Sequence, residues 1–210
     1  MTGNSLTSLV FVVDDDEHVR NALCRVLRSG GYTVQAYSCA SAFMDGADLK
    51  SVPACLLLDL QLPDFSGIEL QRRLDGIVPI VFVSAQGDTH TAVEAMKAGA
   101  MDFLAKPVDA SVLLEVTARA FAHAQRLFAQ REQRAEIQRR IDKLTPRERE
   151  VMALVVTGRM NKLVANELGA AEKTVKIHRG RVMEKMKADS LAELVRMLVA
   201  SGLDAPVLRP

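Results

Sequence analysis

LLLDLQLPDFSG, Leu56–Gly67, decides the fold of the amino-terminal half. No polar residue interrupts Ala54–Leu58 before the chain reaches Asp59. An apolar run without alternation reads as a strand buried on both faces, as in a parallel sheet. Asp59 then stands at the strand's carboxyl end, the edge where open α/β sheets hold their ligands. Taken alone, Asp59 reads equally well as a loop residue capping the next helix. Its partners must come from the rest of the chain.

Working outward, further apolar runs occur at Leu9–Val13, Tyr32–Tyr37, Ile80–Val83 and Phe103–Leu104. Helical spacing of apolar residues separates them at Val19–Arg28, Gly67–Leu74, Thr91–Ala98 and Val112–Phe121, with Gly30-Gly31 and Gly99 as stops. Strands alternating with helices predict right-handed βαβ units and a doubly wound parallel sheet of about five strands.

The polar residues at the strand ends then fall in line. The first strand runs into Asp14-Asp15-Asp16, the third into Asp59, the fourth into Ser84 and the fifth into Lys106-Pro107. Crowded carboxylates repel unless a hard divalent cation neutralises them. Magnesium suits, because it takes oxygen ligands, keeps several waters and favours one or two carboxylates plus a phosphoryl group. Beside it Asp59 can act as a nucleophile on phosphorus, Lys106 can neutralise a phosphoryl oxygen, and the Ser84 hydroxyl can donate to another.

Composition narrows the remaining classes. The 210 residues are 49% hydrophobic and 25% charged, ordinary for a chain that buries a core. With no Trp and 4% aromatic residues, stacking on single-stranded nucleic acid is a poor reading. No apolar stretch approaches a bilayer span, and MTGNSLTS lacks the features of an export signal, so no membrane association and a cytoplasmic location are expected. Cys24, Cys39 and Cys55 lack metal spacing and read as buried reduced thiols.

The net charge of +1 conceals two halves. Residues 1–122 carry nine Lys+Arg and fifteen Asp+Glu, net −6; residues 123–210 carry eighteen and eleven, net +7. An acidic half joined to a basic half suggests two domains with different partners, the second polyanionic; a charged solvated face is the plainer reading of the same count. Between them AHAQRLFAQREQRAEIQRRIDK (122–143) is polar and free of Pro and Gly, and predicts a continuous helix that Asp109 can open, with a flexible linker as the alternative.

The basic half is densely capped. Thr145-Pro146-Arg147-Glu148 is a capping box with Pro at the first helical position, and Ser190-Leu191-Ala192-Glu193 is a second box. Helices are expected from Thr145 to Gly158, over Asn161–Leu168 and Glu172–Lys187, and from Ser190 to Gly202. Two short helices about a Gly turn make a helix-turn-helix, at about 161–186, whose second helix enters the major groove. That helix carries Lys173, Lys176, Arg179, Arg181, Lys185 and Lys187 against Glu172 and Glu184. Such cations neutralise phosphates and reach guanine edges.

FVVDDDEHVR, LLLDLQLPDFSG, IVFVSAQGD and AGAMDFLAKPVD together resemble the successive signatures of bacterial receiver domains. LTPREREVMALVVTGRMNKLVANELGAAEKTVKIHRGRVMEKMKADSLAELVRML resembles a LuxR-type DNA-binding domain. Joined, they resemble two-component response regulators of the NarL/FixJ family, on the FixJ-like branch. The resemblance implies a flavodoxin-like receiver at 8–122 with strand order 2-1-3-4-5, a helical linker at 123–137 and an all-α, four-helix DNA-binding domain at 138–203. It makes Asp59 the phosphoacceptor, Asp14 and Asp15 the acidic pair, Lys106 the active-site lysine, and Ser84 with Phe103 the switch. The main-chain carbonyl of Gln61 would join Asp14, Asp15 and Asp59 around Mg2+ or Mn2+, and a cis peptide is expected before Pro107.

On DNA the resemblance puts Lys176 and Ile177 at the bases, with Lys162, Thr174, Arg179 and Arg181 on the phosphate side and Lys173 beside them. The implied partners are a sensor histidine kinase, double-stranded DNA with a two-fold site, a second copy of the chain after phosphorylation, paired on DNA through the last helix, and RNA polymerase. Three departures from the family pattern stand out: Leu62 where Met is usual, Ala171 in place of a Ser cap, and Met160 to Val164 in place of a more polar helix start. The rival readings are an enzyme that turns over aspartyl phosphate, beyond slow autodephosphorylation, and a phospho-gated interaction module that no longer binds DNA. The resemblance assigns no water-activating role to His18, His90, His123 or His178, as the first rival would need.

Overall fold

The structure is a computed structural model that describes residues 8–85 and 89–202. The chain divides into two compact units, one through residue 128 and one from residue 129. Gln86–Asp88 of the third signature, and residue 203 at the expected end of the basic domain, lie outside the described residues.

In the first unit β1 (Leu9–Val13), β2 (Thr33–Tyr37), β3 (Ala54–Leu58), β4 (Ile80–Ser84) and β5 (Asp102–Ala105) form one sheet in the order β2-β1-β3-β4-β5. All four pairings are parallel. Alternate residues of each central strand point to opposite faces. Phe11, Leu56, Leu58 and Phe82 meet α2 (Ala40–Gly46), α3 (Gly67–Leu74) and α4 (Thr89–Lys97) through Phe43, Leu70, Leu74 and Ala95. Val10, Val12, Leu57 and Val81 meet α1 (Glu17–Ser29) and the start of α5 (Ala110–Asp142) through Leu23, Leu27, Leu113 and Val116. Burial on both faces is why β1, β3 and β4 read as unbroken apolar runs.

Helix α2 was not among the expected elements. Its N-cap residue, Cys39, makes no capping bond; the amides of Ala40 and Ser41 instead donate to the carboxylate of Asp64, at 3.2 and 2.7 Å. The cap comes from a loop more than twenty residues away, so nothing local announces the helix. Cys39 itself is half-exposed rather than buried, unlike Cys24 and Cys55. Burial pushes the Cys55 thiol up to about 12, leaving it a neutral apolar side chain.

α5 is one helix of 33 residues, opened by the Asp109 carboxylate, which accepts from the amides of Ser111 and Val112. Glu136 pairs with Arg139 and Arg140 along its exposed face. In the second unit its end packs with α6 (Pro146–Val155), α8 (Glu172–Met186) and α9 (Leu191–Ala200): Ile137 and Ile141 are buried with Met152, Val182, Met186 and Leu194. α7 (Asn161–Glu167) completes that unit, with Val164 and Ala165 packed against Val151, Val155 and Val175.

Thr145 and Glu148 form the expected reciprocal capping box. At α9 the box is only half made: Ser190 Oγ accepts from the Glu193 amide, but Glu193 reaches the amide of Asp189 rather than that of Ser190. Gly158, Gly169 and Gly202 take positive φ at 84°, 60° and 60°, as helix stops do.

Candidate functional site

Strand β3 delivers Asp59 to the edge of the sheet beside the end of β1, with the Asp59 amide donating to Val13 O at 2.8 Å. Asp14 follows β1 and Ser84 closes β4. Lys106 directly follows β5 and precedes a cis bond to Pro107, and its amide donates to Ser84 O at 2.9 Å. The four strand ends thus bring the residues of four separate segments together. Lys106 Nζ lies 2.5 Å from Asp59 Oδ2 and 2.7 Å from Asp14 Oδ2. Asp14 and Asp59 are only 1% and 6% exposed, whereas Asp15 is exposed.

Burial lifts the Asp14 carboxyl above its ordinary value; the Lys106 ammonium opposes that and the nearby Asp59 charge adds to it. Burial alone would lower Lys106, but the carboxylates of Asp14 and Asp59 beside it outweigh that and hold the ammonium above its ordinary value. Lys106 therefore stays charged.

One carboxylate oxygen from each of Asp14, Asp15 and Asp59 lies within 4.8 Å of the others. Asp14 Oδ2 is fully buried and accepts no hydrogen bond of good geometry, despite the ammonium beside it. An all-oxygen donor set with an under-used buried carboxylate oxygen fits a hard divalent cation. Asp14 Oδ1 and Asp59 Oδ1 are positioned by the amides of Asp16 and Gln61, at 3.0 and 3.1 Å.

Two residues outside the signatures' expected roles shape this corner. Arg20, on the second turn of α1, donates to the main-chain carbonyls of Asp14 and Asp15 at 2.7 and 3.2 Å. It fixes the acidic turn without touching a carboxylate. Gly67 is needed for space: a Cβ there would stand 2.4 Å from Asp59 O and 3.0 Å from the Phe82 ring. Phe103 is half-buried, its ring centroid 6.5 Å from that of Phe82. Leu62 packs against the same core, as a residue close to Met in volume can.

In the second unit, Lys162, Lys173, Thr174, Lys176, Ile177 and Arg181 are all exposed on α7 and α8. Arg179 is half-buried, donating to Asn161 Oδ1 at 3.2 Å. Lys185 does not belong with these cations. Its Nζ turns inward to Glu148 Oε2 at 2.6 Å and to Lys143 O at 3.2 Å. Glu148 is 2% exposed and also caps α6, a double role that the capping motif alone does not disclose. The two weak helix starts are visible: neither Met160 nor Ala171 makes a side-chain cap.

A doubly wound receiver fold with clustered carboxylates and a lysine, joined in one chain to a helix-turn-helix with exposed cations, defines a class: the transcriptional response regulators. The chain belongs to it, matching the response regulator receiver domain over residues 10–118 and the luxR family of bacterial regulatory proteins over residues 142–198. Within that class it sides with the FixJ-like members of the NarL/FixJ family. It is 44% identical to Nodulation protein W of Bradyrhizobium diazoefficiens, over 97% of this chain and 91% of that one. Against Transcriptional regulatory protein FixJ of Rhizobium meliloti it is 41% identical, over 92% and 96%. The solved response regulator StyR is similar at a TM-score of 0.77 and 42% identity, over 92% of this chain and 98% of that one. Among the described residues no helix is long and apolar enough to cross a membrane.

Proposed function

We propose that phosphoryl transfer to Asp59 turns this transcriptional regulator into a DNA-binding dimer. The observation that carries this is the buried bridge from Lys106 to both Asp59 and Asp14 at the carboxyl end of the sheet. The cognate donor is a sensor histidine kinase. An Asp59 carboxylate oxygen forms the new O–P bond as the donor's P–N bond breaks, and the imidazole leaves with the electron pair. Lys106 neutralises charge on the transferred group, and Ser84 supplies a hydroxyl at the adjacent strand end. Asp14, Asp15, Asp59 and the Gln61 carbonyl would hold Mg2+ or Mn2+, whose chemistry is to offset charge on the phosphoryl oxygens.

We divide the chain into a receiver at 8–122, a helical linker at 123–137 and a DNA-binding domain at 138–203. Ser84 and Phe103 are the switch pair. Receiver pairing raises the effective concentration of the second DNA-binding domain and so favours a two-fold site. Val199 of α9, 74% exposed, belongs to the face that pairs on DNA. Lys176 and Ile177 read bases, while Lys162, Lys173, Thr174, Arg179 and Arg181 hold phosphates. Action is cytoplasmic and ends at RNA polymerase; turnover is limited to slow autodephosphorylation.

The test is intact-mass analysis after incubation with Mg2+ and a small acyl phosphate. A single labile phosphoryl group on the wild type, absent from Asp59→Asn, is expected. An equally phosphorylated Asp59→Asn chain contradicts the assignment.

A further inference from the structure

Gly180 is the ninth residue of the fifteen in α8, and glycine weakens a helix interior relative to alanine. The usual reasons for tolerating it are missing. Its φ is not positive, and a Cβ built there meets nothing within 4 Å. Gly67 is the contrast, since its Cβ would collide with the Asp59 main chain. Nothing within the described structure asks for glycine at position 180.

Its place on the helix does. At about 100° per residue, Gly180 lies opposite the buried stripe of Val175, Val182 and Met186. It falls in the middle of the outward stripe, flanked by Lys173, Lys176, Ile177 and Glu184, all exposed. Ile177 is an exposed apolar residue, 49% accessible, one turn before it. A bare backbone patch between two lysines and an apolar side chain matches a surface that something approaches closely.

We infer that Gly180 is the point of closest approach between α8 and DNA, where base edges on the floor of the major groove pack directly against the helix backbone. Lys173 and Lys176 reach outward past the bare patch, and Ile177 meets an apolar thymine methyl beside it. This rests on the DNA-binding reading above. It adds that the fit is steric: the helix gives up local stability to seat more deeply in the groove.

The experiment uses the full-length chain loaded with Mg2+ and beryllofluoride, and a duplex enriched from a random pool on the wild type. Gly180→Ala is expected to raise the thermal unfolding midpoint by roughly 4 °C and weaken binding about tenfold. Gly180→Val should lose more. The slope of log affinity against log salt should stay that of the wild type, because no phosphate contact is removed, whereas Lys176→Ala should change affinity with base identity. Wild-type or tighter binding by Gly180→Ala overturns the inference, as does a loss of binding that tracks a loss of stability. If the wild type enriches no duplex, the DNA-binding reading itself falls, and the inference with it.

Discussion

Lys106 Nζ stands 2.5 Å from Asp59 Oδ2, so the proposed nucleophile is held by the charge that would neutralise its phosphoryl group. The same ammonium also faces Asp14, and two buried carboxylates share one cation. The site is under-neutralised, and that imbalance can be measured.

Asp14 shows the imbalance most clearly. Its carboxyl is raised, chiefly by burial, so the folded chain holds that proton more tightly than the unfolded chain does. Its contribution to stability therefore falls as pH rises from 3.8 through the raised value, and at neutral pH the ionised group destabilises the fold. Asp14→Asn should raise stability at pH 7 by about 1 kcal/mol, since Lys106 keeps Asp59 as a partner. In urea unfolding the wild type should gain about 2.7 kcal/mol in Mg2+ at one hundred times its dissociation constant, and the variant should gain far less. An Asp14→Asn chain that is destabilised without Mg2+ would count against this.

Gly67 supports Asp59 from below. Gly67→Ala places a methyl group against Asp59 O and the Phe82 ring, where backbone has to move. A loss of about 2 kcal/mol is expected, together with slower phosphoryl uptake from an acyl phosphate. Unchanged uptake in a folded Gly67→Ala chain would show that the loop position of Asp59 is not critical.

Lys185 distinguishes a structural cation from a DNA-facing one. Lys185→Met removes the partner of buried Glu148 and should cost about 2 kcal/mol, while leaving the salt dependence of DNA binding unchanged. Glu148 is held below its ordinary value: burial opposes this, but the Lys185 and Thr145 hydrogen bonds prevail. The stability it contributes is present above 4.5 and is lost as pH falls through the lowered value. The variant should accordingly lose part of its acid denaturation slope. A shallower salt slope for Lys185→Met would place it on the DNA face after all.

The legible parts of this chain are those where one local pattern has one physical cause. Central strands buried on both faces cannot alternate, so β1, β3 and β4 were readable to within a residue, and the polar residues ending them followed. The caps of α6 and α9, and the positive-φ glycines, are equally local. What stayed hidden depends on partners distant in sequence. α2 is capped by Asp64 across the β3–α3 loop. Lys185 looks like one more cation on a basic helix until Glu148 is found beneath it. Arg20 holds main-chain carbonyls, which no charge pattern can reveal. Gly180 could be seen in the sequence, but its meaning needed the empty space around it.

The central claim, that a phosphoryl group on Asp59 drives pairing, is tested most directly by sedimentation with and without Mg2+ and beryllofluoride. Wild type and Asp59→Asn are run side by side. A shift from monomer to dimer in the wild type alone is the predicted result. A wild-type chain that binds the beryllofluoride and keeps its mass would contradict it.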